Sequence, residues 1–334
     1  MHERTPFARG SLVKSIATVS ARALASGALL PIATGCEYVE EQGVRFFVRV
    51  LANIRRKDDQ RSAQQRSAAA GRPVNPFLPY EQELFVADVS ETHVAILNKF
   101  NVVDRHLLIV TREFEDQRVL LTTRDFEAWW RCMSEYECLG FYNGGAEAGA
   151  SQAHKHLQVV PLPLAPQGPA IPIEPLLTGF RGTAEAGTIP GFDFMHAFAI
   201  LNPAASKGAT ARQAFERYAS MLEQVGLHPP AGKGADLQSG PYCLLATRAW
   251  LLLVPRSREF FGSISINSLG FAGALLVRDE EQLKALRAAG PFTALRETAI
   301  PLREGNNSQL RHSRGHHRES RGFHVPSDSG SSQE

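Results

Sequence analysis

The chain has 334 residues, 43% of them hydrophobic, and a formal net charge of +2. That length holds one large domain or two modest ones, and so balanced a charge supplies no global field to draw nucleic acid. No apolar run approaches the roughly 18 to 20 residues of a membrane span, and Cys36, Cys132, Cys138 and Cys243 form no C-x-x-C pair, which speaks against zinc and dithiol chemistry and for reduced thiols in a cytoplasmic protein.

The opening segment, residues 1–30, is basic and rich in small side chains, a composition shared with transit peptides. Leu12, Ile16, Val19 and Leu24 nevertheless recur at near-helical spacing with Gly27 as a stop, so the spacing predicts a first helix. Residues 45–54, RFFVRVLANI, are aromatic and β-branched and predict a strand. Residues 55–74 carry almost no apolar anchor and predict a mobile loop. Its first residues, Arg55, Arg56 and Lys57, read equally as a solvated charge run or as a phosphate clamp.

From Leu84 the chain turns strand-rich. LFVADVS, HVAILNKF and HLLIVTREF are apolar runs with short polar joints, and Asn98 and Lys99 fall at one strand end. DFEAWWRCMSEYECLG predicts a helix with a core stripe of Phe126, Trp129, Trp130 and Met133, and Gly140 as its stop. A proline-rich segment, 161–175, leads into a second half. There FMHAFAIL, PYCLLATRAWLLLVPRS and SISINSLGFAGALLVRD predict strands, and ARQAFERYASMLEQVGL predicts a helix ending near Gly226. No internal repeat is visible, and the second half has no H-x-H of its own. Residues 301–334 hold too few large apolar side chains to offset chain entropy, so a disordered tail is expected, its histidines included.

The chemistry concentrates in GGAEAGASQAHKHLQ, residues 144–158. In a strand, side chains alternate faces, so His154, His156 and Gln158 share one face while Lys155, Leu157 and Val159 share the other. Three roles compete for the histidines: metal ligands, satisfied structural side chains, or a nucleophile or base. No acidic or cysteine ligand lies nearby in sequence to complete a metal site. The preceding loop tips the balance to catalysis. Gly144, Gly145, Gly149, Ala150 and Ser151 let backbone N–H groups approach an anion, and Ser151 and Gln152 add side-chain donors. Neutral imidazole is a competent nucleophile toward phosphorus near pH 7.

H-K-H-L-Q after N-G-G-x-x-A-G-A-S-Q resembles the histidine-triad superfamily, in the branch where glutamine replaces the third histidine. That branch holds the galactose-1-phosphate uridylyltransferases and the diadenosine tetraphosphate phosphorylases, also called ATP adenylyltransferases. Residues 75–117, the segment PYCLLATRAWLLLVPRS and the segment INSLGFAGALLVR are similar to the latter. The resemblance spans roughly residues 24–292 and leaves the tail uncovered.

The resemblance implies an α+β fold, a mainly antiparallel histidine-triad-like sheet with flanking helices, whose two halves form one catalytic unit. It implies an N-terminal catalytic region at 1–175, a C-terminal region at 176–300 and the tail at 301–334. It implies a two-step transfer. His156 attacks the α-phosphorus of diadenosine tetraphosphate, ATP leaves, and phosphate then releases ADP from an adenylyl-histidine, with the reverse direction open. His154 then orients the transferred group, and Gln158 donates to a non-bridging oxygen. Asn143, Gly149, Ala150, Ser151 and Gln152 match nucleotide and phosphate contacts, Asn98 and Lys99 match a ribose grip, and Lys57 matches a phosphate contact. Asn267, Ser268 and Gly273 match a segment closing over the ligand. Arg278 departs from the lysine the pattern leads one to expect. No resident cofactor or metal is implied, only a divalent cation such as Mg accompanying the polyphosphate. The expected partners are nucleotides and inorganic phosphate, with no nucleic acid or membrane, and the expected state is a monomer or weak homo-oligomer. Adenylyl sulfate phosphorolysis, hexose-1-phosphate nucleotidyl transfer and non-catalytic nucleotide sensing are the competing readings.

Overall fold

Gln42 and Gly43, with φ of 49° and 79°, turn the chain from strand β1 (Thr34–Glu41) into its antiparallel partner β2 (Val44–Leu51). In the computed structural model the described residues are 5–51, 75–182, 186–201, 207–227 and 236–302. Residues 52–54 of the expected strand, the expected loop at 55–74 with Lys57, and the tail beyond 302 lie outside them. Strand β15 (Ala274–Val277) joins β2 in parallel and completes a small three-stranded sheet.

A ten-stranded antiparallel sheet dominates the fold. Its strands are β3 (Phe85–Asp88), β4 (His93–Leu97), β5 (Leu107–Thr111), β6 (Cys138–Gly144), β7 (His156–Pro161), β8 (Arg181–Gly182), β9 (Gly187–Thr188), β10 (Ala197–Ile200), β11 (Tyr242–Ala246) and β12 (Trp250–Pro255). Their spatial order is β3-β4-β5-β7-β6-β11-β12-β10-β9-β8. Strand β6 pairs with β11 from Gly140↔Ala246 to Gly144↔Tyr242, so one sheet runs through both halves of the chain. This is the α+β, mainly antiparallel architecture expected above.

One sheet face packs on helices α1 (Leu12–Ser26), α2 (Thr123–Met133) and α4 (Lys207–Gln224), through Ile16, Phe126, Trp129, Tyr218 and Met221. The other packs on the small sheet and on α6 (Glu280–Ala289) and α7 (Pro291–Thr298), through Phe46, Val48, Leu286 and Phe292. Two further short helices are α3 (Glu174–Leu177) and α5 (Ser268–Phe271). Among the described residues no helix is long and apolar enough to cross a membrane.

Three expectations need correcting. Helix α1 ends at Gly27 as expected, but Leu24 is 51% exposed and Ala23 closes the buried stripe. A step of about 100° per residue carries position 24 past the face set by Leu12, Ile16 and Val19. Helix α2 opens on a capping box between Thr122 and Asp125 and stops at Met133, not at Gly140, which lies inside strand β6. A Cβ at Gly140 would stand 2.7 Å from Met133 and Trp129, so the glycine permits close helix–sheet packing and does not end the helix. Finally, the segment 263–279 is not strand throughout. The hairpin of β13 (Phe260–Phe261) and β14 (Ile264–Ser265) leads into α5, capped by Asn267, before β15 begins.

Candidate functional site

Strand β7 lies at the centre of the site. Leu157 and Val159 point to the helical face and join its core. His156 and Gln158 point the other way, paired across the ladder with Val110 and Leu108. Those two residues belong to a small apolar cluster with Phe77, Val94 and Ile96. The expected shared face of His156 and Gln158 is therefore present. His154 lies just before the strand, in an isolated bridge with Asp116. Its ring still converges with that of His156, because Phe77 packs on both, with centroids 5.6 Å and 5.3 Å away.

Hydrogen bonds fix the tautomer of each imidazole. His156 Nδ1 lies 2.8 Å from the carbonyl oxygen of His154. A carbonyl only accepts, so Nδ1 carries the proton and Nε2 keeps its lone pair. Burial holds the His156 pKa down to about 4, so the ring is neutral at pH 7. His154 has the opposite tautomer. Its Nε2 lies 2.9 Å from both the hydroxyl and the carbonyl oxygen of Thr111; the carbonyl only accepts, so Nε2 carries the proton and donates to it, and Nδ1 accepts from Asn75 Nδ2 at 2.9 Å. Burial lowers its pKa as well, against the opposing pull of the Thr111 and Glu113 carbonyls and of Glu115.

Gln158 is oriented by a chain that the sequence left unread. Asn98 Oδ1 accepts from the Phe100 N–H at 3.3 Å, which leaves its Nδ2 to donate to His106 Nδ1 at 3.0 Å. His106 Nε2 then donates to Gln158 Oε1 at 3.0 Å. With its oxygen engaged, Gln158 presents its NH2 as the donor end. Burial brings His106 to about 4, so it too is neutral.

Gln117 anchors the backbone of the nucleophile candidate. Its Oε1 accepts from the His156 N–H at 2.9 Å, and its Nε2 donates to the Asn143 carbonyl at 2.9 Å. Beneath the strand, Lys155 is fully buried and reaches Glu115 at 2.7 Å and Asp125 at 3.3 Å. Asp125 is also 3.0 Å from His93. Burial pushes the Asp125 carboxyl up, yet His93 and Lys155 together hold it below its ordinary value.

The remaining expected residues divide. Lys99 forms an ion pair with Glu81 at 2.6 Å, beside Asn98. Asn143 Oδ1 accepts from the Ser268 hydroxyl at 2.6 Å and N–H at 3.0 Å, tying β6 to α5. Gly149, at φ 88°, packs against Asn267, where a Cβ would come within 2.8 Å. The Gly149 and Ala150 N–H groups bond to the carbonyls of Ala146 and Gly145, so the loop satisfies these two donors internally and does not hold them free as an anion nest. Ser151 is exposed and Gln152 half-buried. Gly273, at φ 84°, packs on Pro172 and Ile173. Lys57 lies outside the described residues. His106, Gln117, Asn75 and Phe77 are the members that sequence reasoning missed. A polar residue at the head of an apolar strand, as His106 is before LLIV, was the available signal.

His196 provides an internal contrast. Its Nδ1 donates to the Phe194 carbonyl at 2.8 Å, as His156 does to His154, and burial gives it a pKa of about 4. Its Nε2, however, accepts from the Ile189 N–H at 2.7 Å. The lone pair that His156 keeps is spent at His196 on holding a turn.

A family model described as the Ap4A phosphorylase N-terminal domain matches residues 2–179, and one described as the ATP adenylyltransferase C-terminal domain matches residues 190–301. Diadenosine 5',5'''-P1,P4-tetraphosphate phosphorylase 2 of Saccharomyces cerevisiae is 30% identical over 237 residues, which is 64% of this chain and 71% of that protein. The crystal structure of yeast Ap4A phosphorylase Apa2 superposes with a TM-score of 0.70 at 24% identity, covering 87% of this chain and 97% of that one. Its complex with Ap4A superposes with a TM-score of 0.69 at 25% identity, over 87% and 97%.

Proposed function

Since this chain belongs to the Ap4A phosphorylase family, we propose that it is a nucleotidyltransferase that phosphorolyses diadenosine tetraphosphate to ADP and ATP. The observation that carries the reading is the 2.8 Å bond from His156 Nδ1 to the His154 carbonyl, which leaves Nε2 as a neutral, directed nucleophile.

In the first step the Nε2 lone pair attacks the α-phosphorus. The P–O bond to the bridging oxygen breaks, and ATP departs with that electron pair. The imidazole becomes cationic, with its Nδ1–H still held by the His154 carbonyl. Gln158 donates its NH2 to a non-bridging oxygen as charge builds there. An amide supplies no proton, and a polyphosphate leaving group of low basicity requires none. In the second step a phosphate oxygen attacks the same phosphorus, the P–N bond breaks, its electrons return to Nε2, and ADP leaves. Both steps are reversible.

The reading includes no resident cofactor, with a divalent cation arriving on the polyphosphate. It includes nucleotides and phosphate as partners, a cytoplasmic location, and a monomer or weak homo-oligomer. Incubating the protein with diadenosine tetraphosphate, with and without phosphate, tests it. ADP and ATP in equal amounts are expected with phosphate. AMP as the main product at saturating phosphate would overturn the reading in favour of a hydrolase.

A further inference from the structure

Two Asn-x-Phe segments, Asn75-Pro76-Phe77 and Asn98-Lys99-Phe100, make the same local structure. In each, the asparagine Oδ1 accepts the N–H of the phenylalanine two residues on, at 2.9 Å and 3.3 Å. In each, that bond decides which end of the amide is free, and the free Nδ2 donates to a histidine Nδ1, at 2.9 Å to His154 and 3.0 Å to His106. In each, the histidine Nε2–H then donates to a carbonyl oxygen, of Thr111 in one case and of the Gln158 side chain in the other. The second segment belongs to the Gln158 chain already described. The first ends on the residue whose carbonyl receives the proton of the nucleophile.

We propose that Asn75 is a positioning residue of the transfer reaction, which holds His154 as the neutral Nε2–H tautomer and thereby fixes the carbonyl that directs His156. The inference rests on the proposed transferase activity. Its physical content is a requirement on direction. If His154 Nδ1 had no donor facing it, the ring could protonate there or turn, and its Nε2–H bond to Thr111 would no longer be enforced. The ring spans Asn75 and Thr111, and the His154 carbonyl lies on the same residue, 2.8 Å from His156 Nδ1. Phe77, anchored through the same turn, packs on both rings and excludes water from them. Moving Asn75 therefore disturbs the tautomer of one histidine and the aim of the next, with no need for Asn75 to touch the nucleotide.

The test is Asn75→Asp. Aspartate keeps the Oδ1 that accepts from the Phe77 N–H, so the turn survives, and it removes only the donor to His154. A carboxylate facing Nδ1 requires a proton there. His154 then carries both protons at low pH, donating to the carboxylate and to Thr111. As pH rises through its elevated pKa, it loses one of them and with it one of the two bonds. Among the described residues, the other ionisable groups acting on that ring are Glu115, which raises its pKa, and neighbouring His156. The variant is expected to show a kcat that falls about tenfold as pH rises from 6 to 9, with KM nearly unchanged, where the parent is flat; one directed hydrogen bond supports a change of that size. Nitrogen-15 shifts of the imidazoles should show His154 protonated at Nε2 alone in the parent and at both nitrogens in the variant at pH 6. A variant with the parent's kcat, KM and pH profile would overturn the inference, and so would a parent whose His154 carries its proton on Nδ1. The second measurement needs no variant and stands if Asn75→Asp fails to fold. A parent that makes no ADP and ATP defeats the functional reading and leaves the tautomer measurement to be read independently.

Discussion

His106 donates to Gln158 Oε1 across 3.0 Å, in a part of the sheet where both residues are buried. A glutamine amide has two chemically different ends of almost equal size, and its neighbours decide which end faces the substrate. His106→Phe keeps the ring volume and removes the donor. We expect kcat to fall about tenfold to a hundredfold, since a hydrogen bond aimed at developing charge contributes about 1.5–3 kcal/mol. Gln158→Leu should cost a similar factor, and the double variant little more than either alone. Independent, multiplying effects in steady-state assays would show that His106 does not act through Gln158.

His156→Ala should abolish turnover while nucleotide binding persists. Under the proposed mechanism this variant removes the atom that forms the covalent bond, a loss of many decades, whereas truncating a side chain that only shapes a pocket costs far less. Calorimetric titration with diadenosine tetraphosphate and a product assay on the same preparation give both numbers. Retention of more than about a tenth of the parent's turnover would remove His156 from the role.

The alternation of His156 and Gln158 was legible because strand periodicity is local, and the apolar stripe of α2 was legible for the same reason. His106 and Gln117 were not, since their roles come from strand neighbours 52 and 39 residues away. Gly140 misled because a glycine after a helical stripe normally ends it. Here its bareness serves contact with Trp129 and Met133, a relation that exists only once β6 lies under α2. The glycine loop misled in part as well. Composition shows that backbone N–H groups are accessible, but not that Gly149 and Ala150 spend theirs on the loop's own carbonyls. His196 and His156 share the Nδ1–carbonyl bond, and at His196 a backbone N–H engages Nε2, which no local pattern records.

His106, His156 and His196 each sit at about 4 through burial, below the ordinary histidine value near 6.5. Above pH 6.5 both the folded and the unfolded chain leave them neutral. As pH falls from about 6.5 toward 4, only the unfolded chain takes up these protons, so stability is lost over that window. Each histidine contributes a slope of at most about 1.4 kcal/mol per pH unit. Urea unfolding at steps between pH 7 and 4.5 should show the decline, and His156→Gln should reduce the slope by one proton's worth. The acid limb of kcat/KM should likewise fall near 4, not 6.5. Stability independent of pH across this window would mean that the rings are hydrated.

Lys155 is fully buried between the two histidines in sequence, with its ammonium 3.3 Å from Asp125 and 2.7 Å from Glu115. Glu115 is partly exposed and can regain water if the lysine is removed, but Asp125 is almost wholly buried and cannot. Lys155→Met should therefore destabilise the fold by about 3–5 kcal/mol, most of it from the charge left behind on Asp125 and not from the lost attraction. If that is the origin, combining it with Asp125→Asn should cost clearly less than the sum of the two single changes, although Asp125 also meets His93 and caps α2 at Thr122. The backbone N–H of Lys155 bonds to the Glu115 carbonyl at 2.7 Å, so the segment leading to Gln117 is held at the same place. The single variant should accordingly lose turnover as well as stability, and the double variant should recover part of both. Urea unfolding and phosphorolysis assays on the three proteins decide it. Strict additivity in stability would mean that Lys155 is held by packing alone and that the buried charges are not coupled.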